Sequence, residues 1–519
     1  MQSTEAQPEA EKFTKSAQLP AELHTRAARD HSLVRSVGWN VVGDWGSQLF
    51  TWASFLIVTR LLSPADFGIA SMAFVLLPVF QYLAGCGIPR TIVLLRDLTD
   101  DQLAQLNTVA FLLGLIFFGA AAALARPLAL LLRTPKMAPA LIVLSMSLLV
   151  AGTQAISVGL LGRDLRFKTL SLFGALMSLT SAALTLLFAW LGFGYWALIL
   201  GNLLAATFQA GLFIRTRPHR YAWPRLKELR VPLRFGSHLM ASSIITTASL
   251  NLDDLVAGRQ LGPSALGIYG IAWSLANVPL EKVTTMVTTV IPGYLAVVRS
   301  DLSEVRRYLR HLTEGMALLT FPACVGLALV AQEFVAVALG SKWHEAVAPL
   351  QILASYAAFR SIVALLSKVL TAMGNPRFVM WNDLATLLLM GFAFVVGSHW
   401  GVAGIAWAWV VAYPIVVIPL YHKTFKSVEM TLSEYVGAIR PALEATVIMT
   451  LAVLAVRRLV SATPPLARLC VEVLTGAIAY GAVLFFRHRE RAGRFLQLAK
   501  ALAPHRVPKP EGSGTRIYL

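Results

Sequence analysis

Apolar residues in this chain come in long runs, not in the alternation of a half-buried strand or the narrow stripe of a surface helix. A bilayer-crossing helix needs about 20 predominantly apolar residues. Runs of that length lie at roughly 38–60, 68–88, 104–125, 138–160, 171–190, 195–214, 236–257, 267–292, 313–336, 347–372, 379–397, 401–421, 441–460 and 466–486. The tightest pairs are parted only around Gly192 and Gly401. The pattern predicts an all-α polytopic membrane protein of about 14 transmembrane helices.

The runs repeat. Residues 60–73, RLLSPADFGIASMA, align without gaps to 259–272, RQLGPSALGIYGIA, at an offset of 199. Arg166-Phe167 corresponds in the same way to Arg377-Phe378 at an offset of 211. Both matches fall at equivalent points of two six-helix blocks, so the blocks share an orientation and the axis relating them runs along the membrane normal. The expected organisation is a flexible cytoplasmic tail (1–35), an N-lobe (36–215), a basic linker (216–234), a C-lobe (235–422), two additional helices (441–486) and a basic tail (487–519). In the repeated loop, Ser63-Pro64 and Gly262-Pro263 end one helix and start the next, and Gly68 and Gly267 permit close helix approach.

Composition sharpens this picture. The 519 residues are 56% hydrophobic and 14% charged, with a mean hydropathy of +0.65. These values exclude an ordinary soluble enzyme, a disordered protein and a disulfide scaffold. The net charge of +18 would suggest nucleic acid in a soluble protein. Here, with residues at span ends counted on the adjoining side, 34 of the 45 basic residues fall on one side, 9 on the other, and Lys282 and Arg360 remain within spans. That asymmetry puts both termini in the cytoplasm. No recognisable nucleic-acid-binding module accompanies the charge, so no nucleic acid is expected as a partner. Residues 1–35 lack the apolar core of a signal peptide. Cys86, Cys324 and Cys470 lie far apart in apolar runs and read as small core residues.

Two polar stripes cross this apolar background. Asn40, Asp44, Ser47, Thr51 and Ser54 share one face of the first span, and His238, Ser242, Thr246, Ser249 and Asp253 share the matching face of the seventh. Lipid does not tolerate such faces, which suggests an aqueous cavity between the halves or a hydrogen-bonded helix core. Arg360 stands near the middle of span ten, too deep for easy snorkelling, where a guanidinium suits a phosphate or diphosphate, or pairs with an acid. Glu281 and Lys282 lie in span eight after Pro279. Asp253, Glu281, Asp44 and Asp254 are the candidates for coupling transport to a Na+ or H+ gradient. Arg60 and Arg259 end helices, where they anchor at the interface, and Trp343 and Trp196 read as interfacial aromatics. No GxxxxGK[ST] loop, HExxH or paired-cysteine motif occurs, so neither a nucleotide, a metal nor another cofactor is expected.

RLLSPADFG, NLDDLVAGRQLGPSALGIYGIAWSLANVPL, GSKW and AMGNPRF resemble the Wzx- and WzxC-like polysaccharide flippases of the multidrug/oligosaccharidyl-lipid/polysaccharide exporter superfamily over about residues 35–490. The resemblance implies two six-helix lobes in a V. It implies alternating-access transfer of an undecaprenyl-diphosphate-linked oligosaccharide across the bacterial inner membrane, for exopolysaccharide or lipopolysaccharide synthesis. It also implies membrane lipid as surroundings, polysaccharide polymerase and export machinery as partners, and a cationic cavity. For that cavity the candidates are Arg360, Lys282 and His238, with Arg60 and Arg259 sharing the diphosphate. The two additional helices resemble those that form a lipid-tail groove in peptidoglycan-precursor flippases. An ion-coupled multidrug or cation antiporter is the rival reading. A membrane glycan polymerase or ligase would need an outside catalytic loop, and the outside loops here are short.

Overall fold

The computed structural model describes Gln48, residues 50–288 apart from 96, 226, 231, 235 and most of 238–250, and residues 301–488 apart from 461. Among these residues every regular element is a helix, and ten helices are long and apolar enough to cross a membrane. One of the ten, 377–428, contains two helices parted by a tight turn at Ser398–Trp400. In chain order the helices are α1 (Phe50–Leu61), α2 (Pro64–Gly85), the short α3 (Ile88–Leu94), α4 (Asp100–Leu131), α5 (Met137–Arg163), α6 (Phe167–Trp190), α7 (Trp196–Thr216) and α8 (Leu252–Leu261). They continue as α9 (Pro263–Thr288), α10 (Leu302–Leu329), α11 (Val347–Ala372), α12 (Pro376–Gly397), α13 (Gly401–Val428), α14 (Leu432–Leu459) and α15 (Pro465–Arg487).

Their starts follow from sequence. Ser63 with Asp66, Thr99 with Gln102, and Thr431 with Glu434 form capping boxes that satisfy the first free N–H groups of α2, α4 and α14. Pro64, Pro376 and Pro465 sit in first turns, where a missing N–H costs nothing. The helix of the apolar run 68–88 ends at Gly85: Cys86 (φ 41°) and Gly87 (φ 63°) turn left-handed before α3 begins.

The repeated loops meet each other. A Cβ on Gly68 would sit 1.6 Å from the Pro263 carbonyl oxygen, and a Cβ on Gly267 would sit 1.9 Å from that of Pro64. The first turns of α2 and α9 therefore cross backbone to backbone, as the paired glycines predict. Trp343 departs from its expected interfacial place. It is fully buried at this crossing, packs edge-on against Phe67 at 5.4 Å, and donates its indole N–H to the Thr59 carbonyl at 2.8 Å. A buried indole needs an acceptor, and the end of α1 supplies one.

At the opposite end the segment after α7 is a strap laid on α4 and α5, not a loose linker. Asn107 donates to the Arg220 carbonyl, Thr108 to that of Ala222 and Ser157 to that of Arg217. Gln105 accepts from the Arg225 amide and donates to Glu228 and Asp101. Leu229 is buried beneath, beside Ile156 and Leu160. Arg217 pairs with Asp164, and this hydrogen bond holds the Asp164 carboxyl below its ordinary range. Because the folded value is lowered, the pair contributes fully above the unfolded value of about 3.9 and fades as the pH falls through the folded value. Hydrogen exchange at pH 7 in peptides spanning 215–222, corrected for intrinsic rates, is therefore expected to rise in Asp164→Asn. His219 lies in the same stretch, and burial followed by the nearby Arg217 lowers its pKa, so the parent strap also loosens as the pH falls towards 5 and the imidazole gains its proton. Unaltered exchange in Asp164→Asn at pH 7 would contradict the Arg217–Asp164 assignment.

Candidate functional site

Five helices converge on one polar cluster. Asp253 lies in the first turn of α8, where the free N–H groups and the positive end of the helix favour a carboxylate. It is 2% exposed and accepts a hydrogen bond of 2.6 Å from the Tyr269 hydroxyl of α9. Tyr269 accepts in turn from the Trp409 indole of α13 at 2.9 Å. Trp409 packs against Trp273 of α9 at 5.2 Å, Tyr356 of α11 at 5.0 Å and Phe394 of α12 at 5.0 Å. A buried carboxylate without partners is costly, and this relay from Trp409 through Tyr269 meets that cost.

Arg360 adjoins the cluster one helical turn from Tyr356. Its guanidinium carbon lies 5.3 Å from the centre of the Trp273 ring, and Nη1 donates to Asn277 Oδ1 at 3.1 Å. Asn277 is itself fixed by donating to the Trp273 carbonyl at 2.9 Å. Both partners of Arg360 are neutral, so the guanidinium is oriented without losing its charge. The arrangement suits an anion approaching the half-buried face of Arg360, with a protonatable or cation-binding acid held apart from it by an aromatic wall.

The remaining candidates are dispersed. Asp254 follows Asp253 in α8 and is half-buried. Glu281 does not stand in a buried setting: it is exposed on α9, two residues after Pro279. Asp44, His238 and the side chain of Lys282 lie outside the described residues. Arg60 and Arg259 are not gathered around Arg360; each is committed elsewhere. Arg60 donates Nε to the Ala338 carbonyl at 2.8 Å and Nη2 to that of Val337. Arg259 donates Nη1 to the Leu131 carbonyl at 3.0 Å. Each guanidinium thus caps unpaired carbonyls at the end of a distant helix. The described part of the first polar stripe, Thr51 and Ser54, faces a crevice of 280 Å³ shared with Ser178, Ser181 and Thr185 of α6 and Asn202 of α7. It looks onto helices of its own block, because their hydroxyls and carboxamide offer partners there.

Sequence reading named Asp253 and Arg360 but not their neighbours Tyr269, Trp273, Asn277, Tyr356 and Trp409. A signal existed: 269, 273 and 277 recur every four residues along α9, as do 356 and 360 along α11. Tyr269→Phe removes the bridge and strands both the Trp409 N–H and one Asp253 oxygen. A loss of about 1–3 kcal/mol is expected, read as earlier thermal unfolding in detergent. Unaltered unfolding would show that the relay carries no weight.

The family described as "Polysaccharide biosynthesis protein" matches residues 57–348. The chain belongs to that family. The lipopolysaccharide biosynthesis protein WzxC of Escherichia coli (strain K12) is 26% identical over 382 residues, 72% of this chain and 76% of that protein. The succinoglycan biosynthesis transport protein ExoT of Rhizobium meliloti (strain 1021) is 24% identical over 486 residues, 92% of this chain and 97% of the other. Among solved structures, the lipid II flippase MurJ in an inward closed conformation matches with a TM-score of 0.69 at 15% identity, covering 87% of this chain and 99% of that one. An inward-facing multidrug resistance MATE family transporter matches with a TM-score of 0.59 at 14% identity, covering 74% and 94%. These likenesses show the fold, an all-helical one shared with membrane transporters. The chain is a multi-pass membrane transporter of polysaccharide biosynthesis.

Proposed function

We propose that this protein flips an undecaprenyl-diphosphate-linked oligosaccharide repeat unit from the inner to the outer leaflet of the bacterial cytoplasmic membrane. The observation that carries this reading is Arg360, a guanidinium at mid-membrane depth whose partners are both neutral. A diphosphate supplies the missing negative charge, and the planar fork of Arg grips it at two oxygens. The halves 36–215 and 235–422, six helices each, would rock against each other, and the crossing of α2 and α9 would part when the site faces outward. The end bearing Gly68, Gly267 and Trp343 is then the outer end, and the strap and both termini are cytoplasmic, in keeping with the basic bias of that side. With no nucleotide motif in the chain, Asp253 is the group to bind a proton or Na+ and couple its gradient to transfer. Polysaccharide polymerase and export components are the partners that such a product calls for.

The test is reconstitution in vesicles with a lipid-diphosphate oligosaccharide, scored by access of the glycan to an external glycosidase. Transfer that depends on this protein supports the reading. A second reading, an ion-coupled multidrug or cation antiporter, is favoured by one observation, the buried acid Asp253. It predicts cation-for-ion exchange in the same vesicles and no movement of the glycan lipid.

A further inference from the structure

The two C-terminal helices carry a buried ionic knot that neither the substrate site nor the repeat accounts for. Arg457, near the end of α14, donates Nε and Nη2 to the Glu472 carboxylate of α15 at 2.9 and 3.2 Å. The same Nη2 reaches Glu333 Oε2 at 2.6 Å and the Leu329 carbonyl at 2.7 Å. Arg468 of α15 lies 3.5 Å from the other oxygen of Glu333. Glu472 is 0% and Glu333 3% exposed, so both carboxylates depend on these cations for their place.

Glu333 belongs to neither α14 nor α15. It lies in a short helical turn after α10, Ala331–Phe334, which runs directly into a π-helical turn, Val335–Leu339, ended by Gly340 (φ 95°). The carbonyls of Val337 and Ala338 in that turn are the ones Arg60 caps. Beyond Gly340, Lys342 donates to the Leu61 carbonyl at 3.3 Å and Trp343 to that of Thr59. The segment 333–343 is thus held at its start by the C-terminal helices and at its finish by the end of α1. A π-helical turn leaves its carbonyls poorly matched to an α-helix, so their position depends on what fixes the flanks.

We propose that α14 and α15 set the closed state of the outer gate, with Glu333 as the positioning residue that passes their hold to the Arg60 clasp. Removing the Glu333 charge frees the segment to shift, the carbonyls of Val337 and Ala338 leave Arg60, and the crossing of α2 and α9 spends more time open. The assignment of this end as outer rests on the proposed function. The linkage itself rests only on these contacts.

The test uses the purified full chain in detergent, without substrate, so that its outcome stands apart from that of the flipping assay. Cysteines replace Ser71 and Gly270, which face each other across α2 and α9; Ser71 Oγ lies 3.7 Å from the position of a Gly270 Cβ. A sulfur at the Ser71 Oγ position is thereby brought near one carried on a Gly270 Cβ, the proximity that a disulfide needs. The natural Cys86, Cys324 and Cys470 are changed to Ala. Under mild oxidation this parent cross-links readily. Glu333→Gln keeps the shape and removes the charge, and cross-linking is expected to slow about fivefold or more. Arg60→Gln, at the other end of the same link, acts in the same direction, and Arg457→Lys, which cannot span all three acceptors, gives an intermediate rate. The control is Glu444→Gln. Glu444 joins Arg440 and Arg487 at the far end of the same two helices, so its loss loosens α14 against α15 without touching the clasp. The parent rate is expected there. A parent rate for Glu333→Gln, or equal slowing by Glu444→Gln, overturns the proposal.

Discussion

Arg360→Ala leaves the lipid-linked repeat unit on the inner leaflet, and polymer at the cell surface falls at least about tenfold per amount of protein in the membrane. The size follows from the setting. A guanidinium that meets phosphate through two charge-assisted hydrogen bonds in a site poor in water contributes more than a surface pair, about 1.5–3 kcal/mol per bond to a charged group. Fold stability falls by about 1–3 kcal/mol, because the buried Asn277 oxygen loses its donor, so export is scored per amount of membrane-inserted protein. Arg360→Lys keeps the charge but loses the fork and the contact with Asn277, so export is partly retained. Measuring the intermediate on each leaflet separates this outcome from a polymerase defect. Normal export by Arg360→Ala would remove the diphosphate role. Altered drug sensitivity with normal polymer would favour antiport.

The second large effect is expected at the helix crossing. Gly68→Ala places a methyl group 1.6 Å from the Pro263 carbonyl oxygen, an overlap that no side-chain rotation relieves because both neighbours are backbone. Overpacking of this kind costs typically about 1–3 kcal/mol, and this contact lies at or beyond the upper end. The crossing opens in response, and amide exchange rises in peptides spanning 60–73 and 259–272. Gly267→Ala does the same through Pro64, at 1.9 Å. The double variant adds little to either single one, because the first methyl has already parted the helices. Exchange unaltered by Gly68→Ala would mean that the crossing is not as close as these distances state.

These two sites also mark what a sequence can disclose. The glycines were legible because their function depends on a short local pattern, a Pro and a Gly four residues on, occurring twice. The depth of Arg360 could be counted along an apolar run. The partners of Asp253 could not be read, since Tyr269 and Trp409 come from other helices and ordinary aromatics fill most membrane cores. The acceptors of Arg60 and Arg259 could not be read either, because they are main-chain carbonyls, which every residue has. Glu281 lies in an apolar run, yet the face of α9 that carries it is exposed, which the run alone does not disclose. The order of the helices was readable from hydropathy; which faces meet was readable only where small residues demanded it.

The contact of Gly68 with Pro263 and of Gly267 with Pro64 has the form of an isologous interface, in which each copy of a surface offers the other the same residues it receives. Such a joint normally belongs to two separate subunits, yet here both sides are written in one chain. A change on one side must be met by the unchanged twin on the other, so the two copies restrain each other's drift. That restraint accounts for why 60–73 and 259–272 still align without a gap while the helices around them have diverged into different tasks, one side carrying the hydroxyl crevice and the other Asp253 and Arg360. The chain behaves at this point as a dimer fused to itself, and the seam where the two repeated loops meet is the part in which they have stayed most alike.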